Sequence, residues 1–94
     1  MARTVDDLRN EIRVAVGRYE RIESTAFTKE SLAAICEAVG YDIDTNNLPS
    51  KAQMRAGILW RLDVLPEDDP GQAESAFRKG DLQTIAAAVS ADED

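Results

Sequence analysis

Ninety-four residues with 44% hydrophobic content describe one small domain with a modest core and argue against gross disorder. The net charge is −7, histidine is absent and cysteine occurs once, which excludes an internal disulfide, histidine-based catalysis and a Cys/His metal site. No apolar run approaches membrane-spanning length and no signal peptide is visible, so a cytoplasmic protein is the expectation.

Strand-favouring runs are nearly absent, and every long periodic segment has a helical period. The predicted class is all-α: a small helical domain of four to five short helices with a helix–extended-loop–helix unit at its centre. Thr4-Val5-Asp6-Asp7 opens the first helix, with Thr4 as cap and acids in the positive first turn. Val5, Leu8, Ile12, Val16 and Tyr19 form its stripe, which Ile22 extends past Gly17. Arg9, Arg13, Arg18 and Arg21 sit among Glu11, Glu20 and Glu23 and read as a solvated face with local ion pairs. Residues 23–26 are a short link.

The second helix has Thr28 as its cap, with Phe27 and Leu32 at the spacing of a hydrophobic staple. Leu32, Ile35, Cys36 and Val39 form the apolar stripe, and Gly40 supplies a left-handed stop. Cys36 on that stripe reads as a small core residue rather than a nucleophile. Tyr41 and Ile43 alternate with Asp42 and Asp44, so the chain leaves extended. Asp42 and Asp44 read as turn residues, because a calcium loop would need a turn glycine and a terminal glutamate.

Ser50 to Gln53 reads as a capping box that starts the third helix. Met54, Ile58 and Leu62 make its main stripe, while Ala56, Gly57, Trp60 and Val64 fall on the other side. Apolar on two sides, this helix is expected to be the most buried, with Leu32, Ile35 and Val39 facing it. Gly57 costs roughly 1 kcal/mol of helix propensity against alanine. The expected return is close approach by a neighbouring helix.

Residues 63–72 hold two prolines, a glycine and four acids, which reads as an acidic linker or exposed turn. Asp69-Pro70 is predicted to cap a short helix over 72–79, and Asp81 a last helix with Leu82, Ile85 and Val89 as its stripe. Residues 91–94 are expected to fray. The domain reading is therefore a helical core over 1–62, a linker over 63–72, a C-terminal helical segment over 73–90 and an acidic tail over 91–94. The C-terminal segment is either an appendage or a docked cap, and its apolar stripe favours docking.

Residues 27–40 align without gaps to 77–90, with Phe27/Phe77, Lys29/Lys79, Leu32/Leu82, Ile35/Ile85, Ala38/Ala88 and Val39/Val89 identical. Duplication and convergence of two capped amphipathic helices both account for this. If it is duplication, the second copy lacks its loop and second helix. The chain would then be cut from a longer protein, or its last helix would cap the first unit.

The unit over 27–62 resembles the SAP-like helix–extended-loop–helix modules, which include the SAP and LEM-type domains. Leu32, Ile35, Val39 and Gly40 match the first helix of that pattern, and Lys51, Met54 and Ile58 match the lysine-started second helix. The loop from Tyr41 to Ser50 is long for the group, and Ser50 stands where SAP domains usually have glycine. The resemblance implies weak binding of duplex DNA through the two helix starts, with Lys29, Ser50, Lys51 and Arg55 as contacts. Free N–H groups and adjacent cations are what a phosphate backbone would meet there. LEM-type members imply a protein partner instead.

The charge is unevenly placed. Residues 1–26 carry five arginines and five acids, residues 27–62 four cations and four acids, and residues 63–94 two cations and nine acids. A non-enzymatic, DNA-associated accessory domain, with no cofactor, metal, small-molecule substrate or membrane contact, is the first functional expectation. The alternative is a protein–protein interaction domain, or a small acidic inhibitor or adaptor, acting through the acidic C-terminal segment or the Trp60 face. The excess of Asp, and of Arg over Lys, fits a halophilic source as well.

Overall fold

Three of the helices begin at hydroxyl caps in a computed structural model that describes residues 4–18 and 27–89. Helix α1 (Val5–Ala15) starts at Thr4, whose Oγ1 accepts from Asp7 N at 3.1 Å while Thr4 N donates to Asp7 Oδ2 at 3.2 Å, a complete capping box. Helix α2 (Lys29–Val39) starts at Thr28 and ends at Gly40, whose φ of 81° is the left-handed stop. Helix α3 (Lys51–Arg61) starts at Ser50, which accepts from Gln53 N at 3.1 Å. The Gln53 side chain does not return that bond. It donates to Tyr41 Oη and to Asp68 O instead, so the expected box is only half made.

The C-terminal third differs from expectation at two points. Asp69 does cap at Pro70, but the element it caps is a 3-10 turn over Pro70–Gln72, not a helix over 72–79. The difference is tertiary: Arg55 donates to the Ala73 and Glu74 carbonyls at 2.8 Å each and ties this segment to α3. Helix α4 (Lys79–Val89) then begins ahead of Asp81, which lies inside its first turn. Asp81 is therefore not the cap that its sequence position suggested; its carboxylate reaches back from the first turn and accepts from Arg78 N at 3.2 Å. Tyr19 and Ile22, the 23–26 link and the 91–94 tail lie outside the described residues.

One core joins all four helices. Leu8 and Ile12 of α1, Leu32, Ile35 and Cys36 of α2, Met54 and Ile58 of α3, and Leu82, Ile85 and Ala86 of α4 are buried in a single cluster. The C-terminal helix is thus docked, with α1 as its principal neighbour. Leu62 and Val39 pack partly buried against the cluster. Arg13, expected on a solvated face, is buried instead. Its guanidinium lies 5.2 Å from the centroid of the Phe27 ring, and it donates to Asn10 Oδ1 at 2.8 Å.

The matching segments 27–40 and 77–90 become helices with the same bounds: Lys29–Val39 and Lys79–Val89. Three buried positions coincide, Leu32 with Leu82, Ile35 with Ile85 and Cys36 with Ala86, while the buried Ser31 and Ala33 correspond to the half-buried Asp81 and the exposed Gln83. The other two helices correspond in the same way. Thr4 and Ser50 cap them, Leu8 and Met54 are fully buried, as are Ile12 and Ile58, and Val14 and Trp60 are exposed. Helix α2 packs on α3, and α4 packs on α1. Phe27 and Phe77 meet edge to face, with centroids 6.2 Å apart. The helices therefore correspond as two successive pairs, α1–α2 and α3–α4, with the first helix of each pair packed on the second helix of the other. The unit differs from the one drawn from sequence, in which α2 and α3 formed the repeat and α4 its remnant.

Gly57 does permit a close approach, though by a loop side chain rather than a helix. A Cβ there would collide with Cε2 and Cζ of the Tyr41 ring. Gly57→Ala must therefore push the Tyr41 ring out. The overpacking cost of about 1–3 kcal/mol exceeds or cancels the roughly 1 kcal/mol gained in helix propensity. The expected result is a lowered urea midpoint that recovers when Tyr41→Ala is added; a more stable Gly57→Ala single variant would contradict this packing.

Candidate interaction surfaces

Helices α2 and α3 run in the same sense. Cys36 Sγ donates to Met54 O at 3.8 Å, and further along both helices Arg61 Nε donates to Val39 O at 3.3 Å. Contacts that advance together along two helices place their N-termini toward the same side. Lys29 and Lys51, the first residues of α2 and α3, are exposed. The Ser50 hydroxyl is occupied as the α3 cap. Arg55 is part-buried, and its guanidinium ties α3 to the segment between the 3-10 turn and α4. Of the four residues implied by the SAP-like resemblance, Lys29, Ser50 and Lys51 are exposed, Ser50 also capping α3, and Arg55 is held in the fold. Glu30 lies beside Lys29 and reduces the positive potential there.

A different surface forms where α3 ends. Trp60 is 39% exposed and Val64 43%, and the Tyr41 ring stands edge-on to the indole at 6.1 Å. Tyr41 Oη donates to Asp68 Oδ2 at 2.9 Å and accepts from Gln53 Nε2 at 3.0 Å. Burial, and then the Asp68 carboxylate, raise the Tyr41 phenol above its ordinary range, so it stays neutral and remains a donor. Asp63 turns the chain through a left-handed φ of 63° directly after α3. Asp42 and Asp63, next to Tyr41 and near Trp60 in sequence, and Glu67 and Asp68 are all exposed, and Asp68 is the one bonded to Tyr41. Among the described residues none of these four carboxylates has an ion-pair partner. The nearest cation along α3, Arg61, is directed at the last turn of α2, where its charge favours the carbonyl end of the helix.

Sequence reasoning named the Trp60 face but missed its supports. Tyr41, Gln53 and Asp68 come from the loop, the start of α3 and the acidic segment, and no local spacing relates them. The one available signal was Gly57, which marked a close approach without naming the partner.

Two other features are closed to chemistry. Cys36 is fully buried, and burial pushes its thiol up to about 12, so no thiolate is available near neutral pH. The pocket lined by Phe27, Phe77, Leu32 and Leu82 together with Arg9, Arg55 and Ala76 holds about 10 Å³, room for roughly one water. Asp44 accepts from Asn46 N at 2.9 Å, a turn bond that accounts for it without a cation. No described helix is long and apolar enough to cross a membrane. Comparison with family models, with curated proteins and with solved structures gave no match.

Proposed function

We propose that this chain is a non-enzymatic interaction domain that binds a protein through the face made by Tyr41 and Trp60. The observation that carries the reading is a large aromatic left substantially exposed yet held in place: Tyr41 braces Trp60 and is itself fixed by Asp68, Gln53 and the space above Gly57. An exposed tryptophan on a rigid support supplies contact area with little ordering entropy left to lose, which is how interface anchors work. A photoreactive residue in place of Trp60 tests it in an extract of the source cells, with the same residue at Gln83, exposed on α4, as control. The expected result is a discrete protein adduct at position 60 that position 83 does not give. Equal adducts at both positions, or none at 60, would count against the reading.

The same-sense pair α2 and α3 supports a second reading, weak binding of duplex DNA. Lys29 and Lys51 would flank the free N–H groups of two helix starts. Two such contacts predict a shallow dependence of log K on log salt, with a slope of roughly −2. Lys29→Ala with Lys51→Ala should abolish that slope. Absence of any amide shift on adding duplex DNA at low salt would remove this reading.

A further inference from the structure

Resting on the protein-binding reading of the Trp60 face, we infer that the partner presents a basic segment, with a lysine or arginine over the Trp60 indole. The charge distribution carries this step. Between residues 63 and 69 there are four exposed acids and no cation, and Asp42 adds a fifth from the loop beside Tyr41. Of the two arginines of α3, Arg61 offsets one of these charges, because its guanidinium packs at Val39 and Gly40 beside Tyr41, and Arg55 offsets none. Arg55 is turned onto the Ala73 and Glu74 carbonyls, and Arg61 onto Val39. An acidic partner would bring like charges together inside a Debye length of about 8–10 Å. A neutral apolar partner would have to desolvate these carboxylates without pairing them. A cation meets the exposed indole, the best of the aromatics for it, and the acids of the 63–69 segment, of which Asp68 is tied to the same surface through Tyr41.

The test uses the intact chain and three synthetic amphipathic peptides of equal length: Lys/Leu, Gln/Leu and Glu/Leu. The single tryptophan reports binding by fluorescence, and backbone amide shifts locate it. The Lys/Leu peptide is expected to saturate, with shifts centred on residues 41 and 60–64 and at least tenfold tighter binding than the other two. The variant Asp42→Asn/Asp63→Asn/Glu67→Gln should weaken it about tenfold. Asparagine at 63 keeps the left-handed turn. A control that removes the same charge elsewhere, Asp6→Asn/Glu30→Gln/Glu37→Gln, should change affinity less than threefold. If the control loses as much, the attraction is general to an acidic chain and the inference fails. If the Gln/Leu peptide binds the same residues as tightly, the face is a protein site for a neutral partner, and the inference fails while the protein-binding reading stands. If amides at 60–64 shift only with rising protein concentration, a second copy of the chain occupies the face and the inference is overturned. Binding of no peptide overturns it too, and the adduct at position 60 then decides the protein-binding reading separately.

Discussion

A chain that ends at Leu65 is expected to be unfolded at room temperature. Truncation removes Phe77, Leu82, Ile85 and Ala86 from the core and strips α1 of its main neighbour. Burying a large apolar side chain contributes roughly 1.5–3 kcal/mol. The three largest of these four account for about 5–9 kcal/mol, against roughly 5–15 kcal/mol of total stability for a domain. Leu8 and Ile12, both 0% exposed in the whole chain, would face water, and an isolated helix the length of α1 is marginal there. The acceptors of Arg55 would be lost as well. Far-UV circular dichroism and amide dispersion check this directly. A truncated chain that melts at the same temperature as the whole one would show that α4 contributes nothing to the core.

Ile58→Ala is expected to lower stability by about 2–5 kcal/mol. Ile58 is fully buried midway along α3, in the same cluster as Leu32, Ile35 and Met54. Those neighbours are themselves buried on helices, so little can collapse into the space, which favours the upper part of that range. Val64→Ser, at a site 43% exposed, should stay within about 0.5 kcal/mol and serves as control. Urea unfolding followed by circular dichroism reads both, with unchanged m-values as the sign that two-state behaviour is kept. A loss below about 1 kcal/mol at Ile58 would mean that the α2–α3 packing is wrong.

The two results probe different links. The truncation tests a pairing between the ends of the chain, α1 with α4, that no local signal announces. The alanine tests a pairing between neighbours, α2 with α3, that the stripes of Leu32, Ile35, Met54 and Ile58 already implied.

The SAP-like expectation illustrates how far a motif carries. Lys51, Met54 and Ile58 do start and line a second helix parallel in sense to the first. Arg55, one position on from Met54, fits a phosphate contact equally well on a helical wheel. In the folded chain its guanidinium instead holds the segment at Ala73 and Glu74. The pattern could not reveal this, because the competing acceptors lie 18 and 19 residues away.

What the amino-acid order determined by itself is local. Thr4, Thr28 and Ser50 cap three helices because each hydroxyl lies within three residues of the N–H it serves. Gly40 stops α2 because it alone takes a left-handed φ there without strain. The apolar stripes at helical spacing identified the core faces, since burying them is the largest favourable term available to a short helix. Only the tertiary structure decided which helix covers which, that Arg13 lies under cover against Phe27, and that Tyr41 fills the space above Gly57 and braces Trp60. The physical reason is range. A cap or a turn is closed by neighbours in the chain, whereas a guanidinium or a phenol chooses among all partners within reach of its side chain, and the packing of distant segments sets that choice.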